Sequence, residues 1–412
     1  MINTRSASTP SRRKPVTRLK LDVPLLMSTF TLLIFGLVMV YSASWDFSYW
    51  QYEDASYMFR HQLLWLAIGL LVAVVASLLD YHYYRRFVVP AMLLTLAALV
   101  TVFIIGEIRH GAARTLRQGS YMPSEAAKIA TIIYLSIWLY SKRHVLSDVS
   151  FGLLPLAGII GVVSGLILAQ PDLSAAATII FLGGMLFFLA GGDLKQISIL
   201  LVVAVMIGWL VVQIHPTGST RIANYLQGLK DPTQAAYHVR RSFEAFVSGG
   251  LFGVGIGKAD TKLTGLPVPP TDSIFAVVAE ETGLFGTTLL VLLYGIFLWR
   301  GLRIAKRAPD LLGSLLGAGL TIWIAIEAFI NMSVMVGLLP FAGNALPFIS
   351  AGGSNLVVSL CAVGILMNIS HLSQMPKKEK ERKDNASDGL RRSDRRRDQP
   401  RSRRASGTGR SR

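Results

Sequence analysis

One apolar stretch, LPVPPTDSIFAVVAEETGLFG at residues 266–286, holds three carboxylates: Asp272 at its start, then Glu280 and Glu281 eight and nine residues on. A carboxylate at the rim of an apolar segment, where water and a ligand can both reach, can serve as a general base, and such help is worth roughly 10²- to 10⁴-fold in rate. Asp272 or Thr271 could instead cap a helix starting after PVPP, since a side-chain oxygen there accepts a bond from an amide left open at the helix start. On local sequence both readings of Asp272 stay open. Ala276, Glu280, Gly283 and Thr287 recur at helical spacing. That pattern predicts a face of small residues against which neighbouring helices pack closely, with Glu280 pointing inward to a cationic or hydrogen-bonding partner. A second polar group is PSEAAK at 123–128. Glu125 and Lys128 lie three apart on one helical face, spaced either to neutralise one another or to serve a shared cavity.

These groups must be held by membrane-spanning helices. The 412 residues are 52% hydrophobic and 16% charged, with a mean hydropathy of +0.49. Runs of about 20 apolar residues fit the roughly 30 Å hydrocarbon core of a bilayer. Ten such runs occur, at 23–42, 61–79, 87–106, 125–141, 150–169, 174–191, 194–214, 273–299, 311–338 and 346–370. The fold class expected is an all-α integral membrane protein of about ten transmembrane helices, with a large extracytoplasmic loop, 215–272, between the seventh and eighth. An even count puts both termini on one side, and the basic loops at 84–87, 141–144 and 299–307 put that side in the cytoplasm. The loop 107–124 carries Arg109, Arg114 and Arg117 against this bias, as if to meet an anionic ligand. Within the long loop, Val239, Phe243, Phe246 and Val247 share a helical face from which Arg240, Arg241 and Glu244 point away, so a helix resting on the outer membrane surface is expected. The neighbouring GGLFGVGIGK lacks the spacing of a phosphate-binding loop. Phe252 stands where the first glycine is needed and Ala259 follows Lys258, so its glycines are read as turns and close packing.

The net charge of +17 is concentrated at the ends. Residues 1–20 hold six Lys or Arg and no acid, and residues 376–412 hold 15 basic and six acidic residues. The chain therefore divides into a basic cytoplasmic tail at 1–22, a membrane domain at 23–372 and a basic tail at 373–412 with too few apolar residues to fold. Such tails favour anionic lipid headgroups or a cytosolic partner and do not form a nucleic-acid-binding face. Cys361 is the one cysteine, and the seven histidines are scattered with no HExxH or paired CxxC, so neither a disulfide nor a metal cluster is expected. The first apolar run is too long for a cleaved signal peptide and reads as a retained anchor.

Several motifs then recur together and in order: GAARTL with MPSEAAK, QPDLSAA at 170–176, SGGLFGVGIG, LPVPPTDSIFAVVAEETGLFG, and INMSVMVGLLPFAGNALPFISAGGSNL at 330–356. Together they resemble the shape, elongation, division and sporulation (SEDS) family, which includes FtsW, RodA and SpoVE; the ending AVGILMNIS and the basic tail lean toward FtsW or SpoVE. Departures from the family pattern fall at Thr115, Met122, Val268 and Pro270, which stand for Trp, Gln, Glu and His. The resemblance implies a peptidoglycan glycosyltransferase of the bacterial cytoplasmic membrane. It would polymerise lipid II at the outer face during division or elongation, beside a class B penicillin-binding protein and other divisome or elongasome membrane proteins. It also places Asp272 at the catalytic-aspartate position, as general base for the acceptor hydroxyl in an inverting transfer.

A departing polyprenyl pyrophosphate needs positive charge. Arg114 and Lys128 match family motif positions, and Arg221, Arg240 and Lys258 of the outer loop are further candidates; a divalent cation, Mg or Mn, could assist, although no dedicated ligand set is visible. Glu125 and Glu280 are assigned to shaping the cavity and orienting these cations, and Ser350 and Ser354 to substrate contact within a broken segment that lines a cavity. Two rival readings remain, a lipid II transporter built of helices with buried charges and a non-catalytic division scaffold.

Overall fold

The computed structural model describes residues 21–105, 107–109, 112–115, 122–170, 172–214 and 216–374. Nearly all of both basic tails, and Arg117, lie outside the described residues. The elements follow in the order α1 (Val23–Tyr52), α2 (Tyr57–Leu78), α3 (Tyr84–Ile105), β1 (Glu107–Arg109), β2 (Ala112–Thr115), α4 (Pro123–Lys142), α5 (Leu154–Ala169), α6 (Leu173–Leu189), α7 (Leu194–Ile214), α8 (Pro216–Lys230), α9 (Tyr237–Gly249), α10 (Ile274–Lys306), α11 (Leu311–Met335) and α12 (Gly353–Ser373). Among the described residues eight helices are long and apolar enough to cross a membrane: α1, α2, α3, α5, α7, α10, α11 and α12. Of the other two long segments, α6 has 17 residues and α4 carries Glu125, Lys128 and Lys142. The chain is a multi-pass helical membrane protein. One expectation needs amending, because the basic loop after α3 contains an antiparallel hairpin, with Glu107 opposite Thr115 and Arg109 opposite Ala112.

Acidic residues start several helices. Asp22 accepts from the Leu25 amide of α1, Asp172 from the Ala175 amide of α6, and Asp310 from the Gly313 amide of α11, each answering an amide that the first turn leaves open. Gln170, at the end of α5, donates to the Leu99 carbonyl of α3 at 2.8 Å, so the QPDL motif joins one helix pair and starts the next helix. The centre of the bundle is α11, whose Trp323 is fully buried and which touches α4, α6, α9, α10 and α12. At the periphery, α7 exposes Leu201, Val205, Met206 and Trp209, as a helix facing lipid does.

Polar contacts sort the connections into two ends. At one end Arg300 of α10 pairs with Asp22 at 2.6 Å, and His82, between α2 and α3, lies 2.8 Å from Asp310. There too the Tyr81 amide bonds Asn368 of α12, and Gln196 of α7 donates to Ser147 between α4 and α5. The opposite end gathers the starts of α2 and α4, residues 250–273 and the segment 337–352.

The connection between α7 and α10 is more helical than its sequence pattern indicated. Its polar first part forms α8, for which Ile222, Leu226 and Leu229 at helical spacing were the only signal. The second helix, α9, was expected to rest on a membrane surface. It packs on α10 and α11 through Val239, Ser242, Ala245 and Phe246, with Phe246 edge-on to Phe275 at 5.8 Å. Val247, grouped with these residues by periodicity, points outward and is 83% exposed.

Candidate active site

The residues before Asp272 form a turn that departs from ordinary backbone geometry. Pro267, Pro269 and Pro270 exclude helix there, and Val268 sits at φ 46°, a left-handed conformation that a β-branched side chain strongly disfavours. α10 begins after Ser273, whose hydroxyl makes no capping bond and has no partner. Neither Thr271 nor Asp272 is therefore the N-cap of α10. Its side chain is half-buried at this end of the bundle, where α10 and α11 meet.

Three successive carbonyls fix the Asp272 segment. The Pro270 carbonyl accepts from the Ala351 amide at 2.8 Å, that of Thr271 from the Ser350 hydroxyl at 2.6 Å, and that of Asp272 from the Asn331 side-chain amide at 2.9 Å. Asn331 also donates to the Asn344 carbonyl at 2.6 Å. Ser350 accepts in addition from the Leu346 amide, so its hydroxyl is engaged between two backbone atoms.

Behind this segment the two glutamates hold the chain leading to it. Glu280, fully buried, accepts from the amides of Asp260 and Thr261 at 3.0 and 3.3 Å and from the Thr261 hydroxyl. Glu281 pairs with Lys262 at 2.7 Å and with the Ser42 hydroxyl of α1 at 2.5 Å. Lys262 reaches the Ser42 and Gly257 carbonyls as well, giving its ammonium a complete oxygen shell. Ala276, Glu280, Gly283 and Thr287 are all buried, but Gly283 breaks the helix, at φ 67° and ψ −167°. The glycine-rich segment packs against this face around Gly283, and Gly249 at the end of α9 lies against Ala279 and Glu280. Val254 and Gly255 donate to the freed carbonyls of Glu280 and Glu281, and the Leu284 and Phe285 amides donate to Gly250 and Leu251.

One further polar cluster lies inside the bundle. Lys128 is 2.7 Å from Glu125 and also pairs with Glu327 of α11, while Asn355 of α12 donates to Glu125 at 2.9 Å and to Glu327 at 3.5 Å. Lys128 is 4% exposed and its charge is spent on two carboxylates. Ser354, one residue before Asn355, accepts from the Met122 amide at the start of α4. Glu327 and Asn331 are four apart on α11 and share a face, which links this cluster to the Asp272 segment. Sequence reading missed Lys262, Glu327, Asn331 and Asn355; the signal for Glu327 was a lone acid in TIWIAIEAFIN.

The remaining candidate cations lie apart from this interior. Arg221 of α8 stands 5.6 Å from the Phe341 ring, on whose ring His238 stacks at 4.0 Å. Arg240 lies against Tyr237, and Lys258 is exposed after the glycine-rich turn. Of Arg114 only the backbone is described, as the third residue of β2. Arg221 and Phe341 also line one end of an apolar groove of about 730 Å³ between α6 and α7, whose walls include Ala177, Phe181, Gly184 and Leu201. Among the described residues no group of three His, Cys, Asp or Glu is arranged to hold a metal ion.

The family model for cell cycle proteins of the FtsW, RodA and SpoVE type matches residues 23–375. The chain belongs to this family. This SEDS chain is 36% identical over 357 residues to Stage V sporulation protein E of Bacillus subtilis (strain 168), covering 86% of this chain and 98% of that one. It is 38% identical over 363 residues to a protein named probable peptidoglycan glycosyltransferase FtsW from Trichlorobacter lovleyi, covering 87% and 95%. Among solved structures, a chain of a peptidoglycan synthase complex superposes with a TM-score of 0.72 at 24% identity, covering 87% of this SEDS chain and all of that one. The rod shape determining protein RodA of Thermus thermophilus superposes with a TM-score of 0.65 at 24% identity, over 87% and 99% of the two chains. These two likenesses establish the SEDS fold.

Proposed function

We propose that this SEDS protein is a peptidoglycan glycosyltransferase that polymerises lipid II, with Asp272 as general base. The observation that carries the reading is a division of labour at one end of the bundle. A carboxylate on a rigidly bonded segment adjoins the 337–352 segment, and the same segment supplies Pro340, Phe341 and Ala342 to the rim of the apolar groove. A lipid-linked sugar needs both features. Its polyprenyl chain enters the groove between α6 and α7, and its pyrophosphate lies toward Arg221, whose charge stabilises the leaving group. Asp272 takes the proton of the acceptor hydroxyl as that oxygen attacks the anomeric carbon of the donor. The carbon–oxygen bond to pyrophosphate breaks on the opposite face, so the centre inverts. The internal pairing of Lys128 gives it a supporting role, holding α4 and α11 together beneath the site, and leaves Arg221 as the cation best placed for the pyrophosphate.

Ten helices cross the bacterial cytoplasmic membrane in this reading, with α4 and α6 added to the eight, and the α7–α10 connection lies outside. The supporting facts are the contacts that join the start of α1, the end of α12 and the basic connections at one end, as the positive-inside rule requires of a cytoplasmic face. A class B penicillin-binding protein is the proposed partner, and the resemblance of this chain to part of a peptidoglycan synthase complex supports such an assembly. The decisive assay is glycan polymer formation from lipid II by the wild type and by Asp272→Asn. Loss of polymer by a variant that still binds lipid II is the expected result; equal polymerisation by the two proteins overturns the assignment.

A further inference from the structure

We propose that Asn331 and Ser350 are positioning residues for Asp272, setting the direction of its carboxylate through the backbone without touching substrate. The inference rests on the general-base reading above and deepens it. A side chain at the mouth of a helix is ordinarily aimed by the cap of that helix, but α10 has none, since the Ser273 hydroxyl bonds nothing. The residues before Asp272 would otherwise fray, and Val268 at φ 46° biases them away from their observed path. Something external must hold them.

The holding groups come from two other elements. Asn331 of α11 is 1% exposed and its side-chain amide bridges the Asp272 and Asn344 carbonyls. Ser350, 4% exposed, bridges the Thr271 carbonyl and the Leu346 amide. The 344–352 segment is itself held on two sides. Tyr294 of α10 donates to the Pro347 carbonyl, and Gln62 of α2 both donates to the Ser350 carbonyl and accepts from the Gly352 amide. Phe348 in this segment adopts φ 69°, a left-handed conformation for a non-glycine residue. Backbone strain of this kind persists only where surrounding bonds over-determine it. Here those bonds converge on three consecutive carbonyls, the last belonging to Asp272. A shift of about 1 Å at a reacting group can cost on the order of 10²-fold in rate, so losing either donor should appear in turnover before it appears in binding.

The test is steady-state polymerisation of lipid II by the full chain with Asn331→Ala, Asn331→Asp, Ser350→Ala and Ser350→Thr, run beside wild type and Asp272→Asn. Asn331→Asp keeps shape but cannot donate when ionised, and Ser350→Thr keeps the hydroxyl. The expected result is a kcat lower by about 10²-fold for Asn331→Asp and Ser350→Ala with KM near wild type, and recovery of most of that loss in Ser350→Thr. The acid limb of the kcat profile should survive in the Ser350 variants, because the base is still present. Wild-type kcat in Asn331→Asp and Ser350→Ala overturns the proposal, as does a loss confined to KM, which would mean substrate contact. If Asn331 variants do not fold, the contrast between Ser350→Ala and Ser350→Thr decides alone. If Asp272→Asn polymerises like wild type, the base assignment itself falls, and that outcome is distinct from failure of the positioning claim.

Discussion

Replacing Gly283 by alanine tests how the break in α10 is held. An added Cβ would sit 2.4 Å from the Gly253 nitrogen and 2.6 Å from the Leu251 carbonyl carbon and oxygen, all backbone atoms that cannot swing aside. The φ of 67° with ψ of −167° is open almost only to glycine, and forcing another residue there costs of order 1–3 kcal/mol. Relief requires pushing residues 250–255 off the helix, which endangers four bonds of 2.9 to 3.1 Å: Val254 to Glu280, Gly255 to Glu281, Leu284 to Gly250 and Phe285 to Leu251. At about 0.5–1.5 kcal/mol net for each, these bonds contribute about 2–6 kcal/mol, and with the backbone term the loss is roughly 3–9 kcal/mol. Gly295, twelve residues on in the same helix, is the internal control, because a Cβ there meets nothing within 4 Å. Its replacement by alanine should be neutral or stabilise by up to about 1 kcal/mol. Thermal unfolding in detergent at one scan rate, as befits a membrane protein that unfolds irreversibly, should show Gly283→Ala lower in Tm by at least about 5 °C. A Gly283→Ala protein that melts with wild type, or a Gly295→Ala protein that loses as much, refutes the reasoning.

Lys262→Met strands Glu281 in the interior and should cost about 3–5 kcal/mol, as breaking a buried pair does; adding Glu281→Gln should recover most of the loss, and a double variant as unstable as the single one contradicts the pairing. Gly184→Trp places a large ring in the α6–α7 groove and should raise KM for lipid II with little change in kcat, measured by polymerisation at varied substrate; an unchanged KM argues against the groove as the polyprenyl site. At the other end of the bundle, burial works to raise the pKa of Asp310, but the bonds it accepts from His82, the Gly313 amide and Tyr81 outweigh burial and hold it below the usual carboxylate value. The stability it contributes is therefore full above the unfolded pKa of about 4 and is lost as pH falls through the lower native value. Asp310→Asn should flatten that part of the acid limb of a Tm-against-pH curve, and an unaltered limb rejects the linkage.

The long helices were legible because twenty-residue apolar runs have no other stable use in a membrane protein, and their observed ends lie within a few residues of the runs for α3, α5, α6 and α7. α1 is longer than its run because SASWDFSYWQY continues the helix with aromatic and polar residues that a hydropathy criterion rejects. The break at Gly283 was not legible. Helical spacing continues through Ala276, Glu280, Gly283 and Thr287, and only the arrival of residues 249–255, about thirty positions earlier in the chain, reveals that the glycine is needed for φ. The same limit hid the partners of the acids. Glu125 and Lys128 are near enough in sequence for their spacing to allow a pair, whereas Glu327 is 199 residues from Lys128 and Lys262 is 220 from Ser42, separations that periodicity cannot bridge.

The three acids of the opening stretch serve three different ends, and the cost of burying charge explains why they stand together. An unpaired carboxylate in the interior is expensive, so Glu280 and Glu281 must each capture donors, and besides Ser42 of α1 these lie on residues 260–262, ten to twelve positions before Asp272. Burial of the two glutamates thereby fixes one end of the loop, while Asn331, Ser350 and Ala351 fix the other at residues 270–272. The groove side is built differently. Its outer wall is α7, exposed along most of its length and packed by apolar side chains without a comparable set of buried polar bonds among the described residues. The asymmetry suits the proposed reaction, in which the base returns to one position at every cycle while lipid tails of donor and product enter and leave beside it. Stiffening α7 against α6, for instance by a disulfide between engineered cysteines across the groove, should slow turnover by retarding lipid exchange while leaving the Asp272 segment intact, and restoration of rate on reduction would separate the two halves of the site.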